Sequence, residues 1–225
     1  MDRAAVERAL SGLRSFADPD PTLEQYPMPA DLAAHLVHLA DLQGDLRRPV
    51  VDLGAGTGVL ALGAALKGAR AVGVERDPTA LSVARENARG LDAARDPDWV
   101  LGDAARPPVA GPVTVLANPP FGAQAASPGD RPFLRAAADV AAVSYTVHNA
   151  GSREFLEAFV ADNAGTITHA FQATLELDRQ FDFHERDRET VETVVVRVEW
   201  ERADANTDTD TDTDMDTDTN ANANG

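Results

Sequence analysis

The run Leu116-Ala117-Asn118-Pro119-Pro120-Phe121-Gly122 ends an apolar stretch with two consecutive prolines. Proline fixes φ and restricts the residue before it, so the run predicts a rigid turn that holds Asn118 in one place. An exocyclic ring amine is a poor nucleophile because its lone pair is delocalised into the ring. The Asn118 side-chain oxygen and the Pro119 carbonyl can accept both amine hydrogens and pull the nitrogen towards tetrahedral geometry. Pro120 stiffens the turn, and Phe121 can stack on a base turned out of its helix. With the methyl group carried on a sulfonium, the chemistry needs donor and acceptor in line. It needs no metal and no covalent nucleophile, and no metal site is expected.

A second group of residues points to that donor. The stretch Asp52-Leu53-Gly54-Ala55-Gly56-Thr57-Gly58-Val59-Leu60 follows an apolar run. Glycines there let the backbone turn sharply and approach a ligand without a Cβ in the way. A dehydrogenase fingerprint would carry a third glycine at position 59, which is Val59, and a phosphate loop would carry Gly-Lys-Ser/Thr, which is absent. An acidic residue two before the first glycine fits S-adenosylmethionine, a cofactor with no phosphate. Glu75 ends the next apolar run, where a carboxylate can accept both ribose hydroxyls. Asp103, in Leu101-Gly102-Asp103-Ala104, is placed to accept a hydrogen bond from the adenine amine of the cofactor. Asp77 is a second choice for the ribose, because it stands where it would cap the following helix.

These residues need a frame of strands that end beside one another. Strands are expected at Val50–Leu53, Ala71–Glu75, Trp99–Leu101, Val113–Ala117 and Ala142–Val147, and helices at Leu60–Leu66, from Pro78 to about Ala88, and at Pro132–Val140. Ser152 is expected to cap a helix reaching about Asn163. Two closing strands near Thr166–Leu177 and Val191–Trp200 look antiparallel, joined by the polar segment Asp178–Thr190. Alternating strands and helices place ligands at the carboxyl ends of a mostly parallel sheet. The expected fold is α/β, a Rossmann-like class I methyltransferase with seven strands and helices on both faces. Residues 1–30 would form an N-terminal helix and lead-in.

Composition bounds the remaining possibilities. The 225 residues suit one domain, taken as 1–203, and none of them is cysteine, which excludes disulfides and thiolate metal sites. No apolar run approaches the roughly 18 residues that cross a bilayer, and the N-terminus lacks the layout of a signal peptide, so a cytoplasmic protein is expected. Residues 204–225 alternate threonine and aspartate without apolar periodicity and read as a disordered acidic tail. The net charge is −17 with Lys67 as the single lysine. That acidity would ordinarily oppose a nucleic-acid partner. Adaptation to molar salt, where repulsion is screened within about 3 Å, accounts for it and leaves the substrate open.

Taken together, Glu24-Gln25-Tyr26-Pro27, the Asp52-Leu53-Gly54-x-Gly56 loop, Asn118-Pro119-Pro120-Phe121-Gly122 and Ser144-Tyr145-x-x-His148 resemble the methyltransferase-like protein 5 family. The resemblance runs from about Leu23 to Trp200. It implies an adenine-N6 methyltransferase acting on small-subunit ribosomal RNA, with a small zinc-ribbon activator protein as heterodimer partner. It also implies that Gln25 and Met28 touch the cofactor, with Gly54, Thr57, Val59, Glu75, Asp103 and Ala104 completing the site beside Gly56 and Asn118. Met28 stands where the family has a small polar residue, and Glu75 where it has an aspartate. The segment Phe181–Glu189, lysine-rich in the family and mixed in sign here, leaves Arg186 and Arg188 as phosphate contacts. His148 and His184 read as structural or RNA-positioning, since the chemistry needs no histidine. Three other readings stay open: a glutamine methyltransferase of the release-factor type, which usually ends its Asn-Pro-Pro loop in tyrosine, a non-catalytic S-adenosylmethionine-binding scaffold in ribosome assembly, and a DNA-adenine methyltransferase, for which the chain lacks an obvious sequence-reading domain.

Overall fold

The computed structural model describes residues 1–91, 93, 95–121, 129–178 and 188–201. The acidic tail and Phe181–Asp187, with His184 and Arg186, lie outside the described residues, as does Gly122. The chain begins with α1 (Arg3–Leu10), a 3-10 turn at Pro21–Leu23 and α2 (Ala30–Leu42). There follow β1 (Val50–Leu53), α3 (Val59–Leu66), β2 (Ala71–Glu75), α4 (Pro78–Arg89), β3 (Asp98–Leu101) and β4 (Val113–Ala117). The second half holds α5 (Arg131–Val140), β5 (Ala141–Asn149), α6 (Arg153–Asp162), β6 (Gly165–Asp178) and β7 (Arg188–Trp200).

The seven strands form one sheet in the order β3-β2-β1-β4-β5-β7-β6. The pairs from β3 to β5 are parallel, whereas β7 runs antiparallel to both β5 and β6. This is the expected Rossmann-like methyltransferase fold. Helices cover both faces because alternate residues of the strands feed two cores. Val50, Leu116 and Tyr145 pack with α1, α2 and α3, while Val51, Val115 and Val196 pack with α5 and α6. Trp99 on edge strand β3 lies over Gly58 and Gly73, whose absent Cβ atoms would fall 2.6 and 2.5 Å from its ring.

Two expectations need correction. Helix α2 was not foreseen: it starts after Pro29 with no side-chain cap, so no start signal marks it, although Leu32, Leu36, Val37 and Ala40 bury one face. Ser152 does stand before α6, but its hydroxyl makes no capping bond; instead Asn149 accepts the Gly151 N–H at 2.9 Å and turns the chain one step earlier.

Candidate active site

Strands β1, β2 and β4 and the loop after β3 end around one cavity of about 400 Å³. Of the residues singled out above, Gln25, Met28, Gly54, Gly56, Thr57, Val59, Glu75, Asp103, Ala104, Asn118 and Pro120 line it. Pro119 is buried, and Phe121 is half-buried against the core on the α1–α3 side, so neither forms its wall. Of the four residues expected to act there, Asn118 and Pro120 therefore face the cavity, while Pro119 and Phe121 stand beside its wall.

The glycine loop is shaped by backbone geometry and by carboxylates that take its N–H groups. Gly56 has φ 54° and Gly58 φ 91°, both in the left-handed region that favours glycine. A Cβ on Gly56 would also meet the Phe16 ring at 2.9 Å. Gly58 begins α3 without a side chain to cap it. The missing acceptor comes from the strand before: Asp52 Oδ2 accepts the Ala61 N–H at 2.9 Å. Burial raises the Asp52 carboxyl from its ordinary 3.8 to about 7; the Ala61 hydrogen bond opposes the shift and the nearby charge of Glu75 adds to it.

Glu75 and Asp77 occupy different places at the end of β2. Glu75 lies in the cavity wall, and its two oxygens accept the N–H groups of Gly56 and Asp77, each at 2.8 Å. Each oxygen keeps a second lone pair. Asp77 caps α4 through Thr79 N–H at 2.8 Å and accepts Gln25 Nε2 at 2.7 Å. Gln25 Oε1 in turn accepts the Asp20 N–H at 2.7 Å, so the lead-in is tied to the end of β2. Asp103 Oδ1 accepts the Ala105 N–H at 2.9 Å.

Several wall residues escaped the sequence reading. Phe16 and Phe133 lie against Gly56 and Gly54, the latter ring 2.8 Å from where a Gly54 Cβ would be. Tyr26 and Arg76 also line the cavity. Asn87 does not, but it builds the site: its amide exchanges hydrogen bonds with the Arg14 backbone at 2.9 and 3.0 Å and donates to Thr57 O at 3.0 Å. That clasp holds the segment carrying Phe16 over the glycine loop. Nothing in local spacing signals a contact across 73 residues.

The cavity's donor set fits the expected cofactor. Four acidic side chains, Glu24, Asp52, Glu75 and Asp103, share the wall with Phe16, Met28 and Phe133, suiting a cation joined to hydroxyls and an aromatic base. At the same wall Asn118 is half-buried and its Oδ1 is fully buried with no hydrogen-bond partner among the described residues. Leaving such an oxygen unpaired costs about 1–3 kcal/mol.

Residues 30–141 match the methyltransferase small domain. An uncharacterized protein of Methanocaldococcus jannaschii is 34% identical over 211 residues, spanning 86% of this chain and 92% of that one. The rRNA N(6)-adenosine-methyltransferase Mettl5 of Drosophila melanogaster is 29% identical over 207 residues, spanning 86% and 94%. The crystal structure of a candidate RNA methyltransferase from Pyrococcus horikoshii matches with a TM-score of 0.81 and 35% identity, over 89% of this chain and 98% of that one. The chain belongs to the methyltransferase-like protein 5 family. It is an S-adenosylmethionine-dependent methyltransferase.

The Ser144-Tyr145-x-x-His148 motif that contributed to the family resemblance serves the scaffold. Ser144 Oγ accepts Trp200 Nε1–H at 2.9 Å, and Tyr145 Oη donates to Asp45 Oδ2 at 2.6 Å. Arg197 adds bonds to Asp45 at 2.9 Å, Thr168 at 2.6 Å and Glu199 at 2.7 Å. Burial works against the Arg197 charge, yet the bonds to Asp45 and Glu199 outweigh it and raise its pKa; burial and the Asp45 bond raise that of Tyr145. His148 is fully buried, with Nδ1 2.6 Å from Asp130 and Nε2 2.6 Å from Thr146. It anchors the residue that precedes α5 and does not reach the cavity.

Proposed function

We propose that the protein methylates the N6 amine of an adenine in RNA, and that the RNA is that of the small ribosomal subunit. The observation that carries this reading is Asn118 Oδ1, a buried acceptor without a donor among the described residues, on a residue that lines the cofactor cavity. An amine bearing two hydrogens satisfies it. The Pro119 carbonyl takes the second hydrogen, and Phe121 takes the face of the base. Bound S-adenosylmethionine supplies an electrophilic methyl group on sulfur. Glu75 holds the ribose and Asp103 the adenine of the cofactor. Gly54, Gly56, Thr57 and Val59 shape its seat, and Gln25, Met28 and Ala104 close it. The same acceptors would suit a glutamine amide; phenylalanine at position 121 and the activity named for the Drosophila relative support the nucleic-acid substrate.

The test is incubation with labelled S-adenosylmethionine and small subunits, or their RNA, from a strain lacking the enzyme, followed by digestion to nucleosides. Label in N6-methyladenosine is expected. Label confined to a glutamine-containing protein would overturn the assignment.

The zinc-ribbon activator belongs to the same reading. Its support is that β3 is an edge strand and carries Leu101, 59% exposed, where an added strand would cover apolar surface. Co-expression is expected to raise soluble yield and cofactor affinity, whereas full activity of the monodisperse chain alone would remove the need for the partner. A ribosomal substrate places the enzyme in the cytoplasm, and among the described residues no helix is long and apolar enough to cross a membrane.

A further inference from the structure

The opposite end of the sheet carries a second concavity, of about 510 Å³, formed where β1 and β2 begin. Its charged lining is Arg47, Arg48, Lys67, Arg70 and Arg95 against a single carboxylate, Asp41. Lys67 neutralises that carboxylate at 2.7 Å and also donates to the Met1 carbonyl at 2.7 Å. The four arginines are exposed, and none has an ion-pair or side-chain hydrogen-bond partner among the described residues. In a chain of net charge −17 with 37 acidic residues, four unpaired guanidiniums in one groove are not explained by average surface composition. They come from three places in the chain: Arg47 and Arg48 end the 3-10 turn Asp45–Arg47 ahead of β1, Arg70 stands just before β2, and Arg95 lies in the loop after α4.

We infer that this groove binds the phosphate backbone of the RNA substrate at a site separate from the target adenine. Arginine suits that partner because its planar fork gives two parallel hydrogen bonds to phosphate, a geometry a lone ammonium cannot supply. Strands of four and five residues put the groove about 15 Å from the glycine loop along the sheet. The phosphates it holds therefore belong to a neighbouring segment of a large folded RNA, and a short oligonucleotide carrying the target base alone does not reach it. The contact gives an acidic enzyme its grip on a polyanion without placing cations among the carboxylates of the cofactor cavity. The inference rests on the RNA reading above.

The test compares the full chain with the triple variant Arg47→Ser, Arg48→Ser, Arg70→Ser. A control, Arg8→Ser, Arg85→Ser, Arg89→Ser, makes the same change in net charge at exposed positions elsewhere. Methylation is measured on small-subunit RNA and on a short target hairpin across a range of salt concentrations. The groove variant is expected to raise KM for the large RNA roughly tenfold or more and to lower the salt slope by about two to three. Its kcat, its cofactor affinity and its activity on the hairpin should match the unaltered enzyme, and the control should keep KM for the large RNA. If the unaltered enzyme methylates RNA and the groove variant keeps KM and salt slope, or if the control weakens them equally, the groove does not bind RNA and the functional assignment stands. If the unaltered enzyme places no label in RNA, both fall together.

Discussion

The turn after β4 and the polar cluster between β5 and β7 both bury oxygen atoms, and they treat them oppositely. Asp45 gives one carboxylate oxygen to Tyr145 and Arg197 and the other to Arg197, and its backbone carbonyl accepts Thr114 Oγ1–H at 2.7 Å. Asn118 leaves its side-chain oxygen without a partner among the described residues. A fully satisfied cluster rigidifies the molecule and has no capacity for a ligand, whereas an unsatisfied acceptor is a standing cost that a substrate can relieve. The comparison separates a buried polar group that builds the protein from one that is proposed to act on a substrate.

Breaking the satisfied cluster should do the most damage to stability and the least to chemistry. Arg197→Met leaves Asp45 and Glu199 without their cation, and a loss of about 3–5 kcal/mol is expected in denaturant unfolding. Methyl transfer per folded molecule should hold, because neither residue lines the cavity. Asn118→Ala should invert that pattern. Single-turnover methylation should fall at least about a hundredfold, near 3 kcal/mol. Calorimetric affinity for S-adenosylmethionine should change by less than about 1 kcal/mol, and the melting midpoint should not drop, since the lost oxygen makes no bond among the described residues. Near wild-type turnover in Asn118→Ala would remove the turn from the catalytic machinery.

Glu75 sharpens the contrast, since it is both satisfied and in the cavity wall. Glu75→Ala should weaken cofactor binding by about 2 kcal/mol, with turnover partly recovered at saturating cofactor. Asp52 tests the same idea with a proton. Its folded-state pKa, raised to about 7 from 3.8, means that the folded protein holds a proton the unfolded chain releases between those values. Stability of the cofactor-free protein should therefore decline as pH rises from about 4 to 7, by at most about 1.4 kcal/mol per unit. Asp52→Asn should flatten that slope. The smallest effect expected is with salt: one lysine against 37 acidic residues predicts a melting midpoint that climbs from dilute buffer to molar potassium chloride. A flat or falling midpoint would rule out adaptation to salt.

Much of the cofactor half could be read from local chemistry. Strands β1, β2 and β4 have the bounds expected from their apolar runs, and Asp52 near the end of β1 leads into the loop that carries Gly54 and Gly56. The second half was read less fully. His148 and Tyr145 stood out as a motif, but their partners Asp130 and Asp45 lie 18 and 100 residues away. Helix α2 carries no cap that would mark it, and only the fold shows that Phe121 also packs partly against the core beside the turn.

What the sequence determined by itself was the chemistry that a few neighbouring residues impose: prolines that stiffen the turn at Asn118, glycines that admit a ligand, and apolar alternation that makes a strand. These constraints act over less than a turn of chain, so they survive without knowledge of the fold. The tertiary structure alone put Glu75 in the cavity wall and Asp77 at the cap of α4, clasped Arg14 to Asn87, left Asn118 Oδ1 without a donor among the described residues and gathered Arg47, Arg48, Arg70 and Arg95 into one groove. Each of those outcomes depends on which groups are brought within about 3 Å of one another, and only the packing of the sheet and its helices fixes that distance.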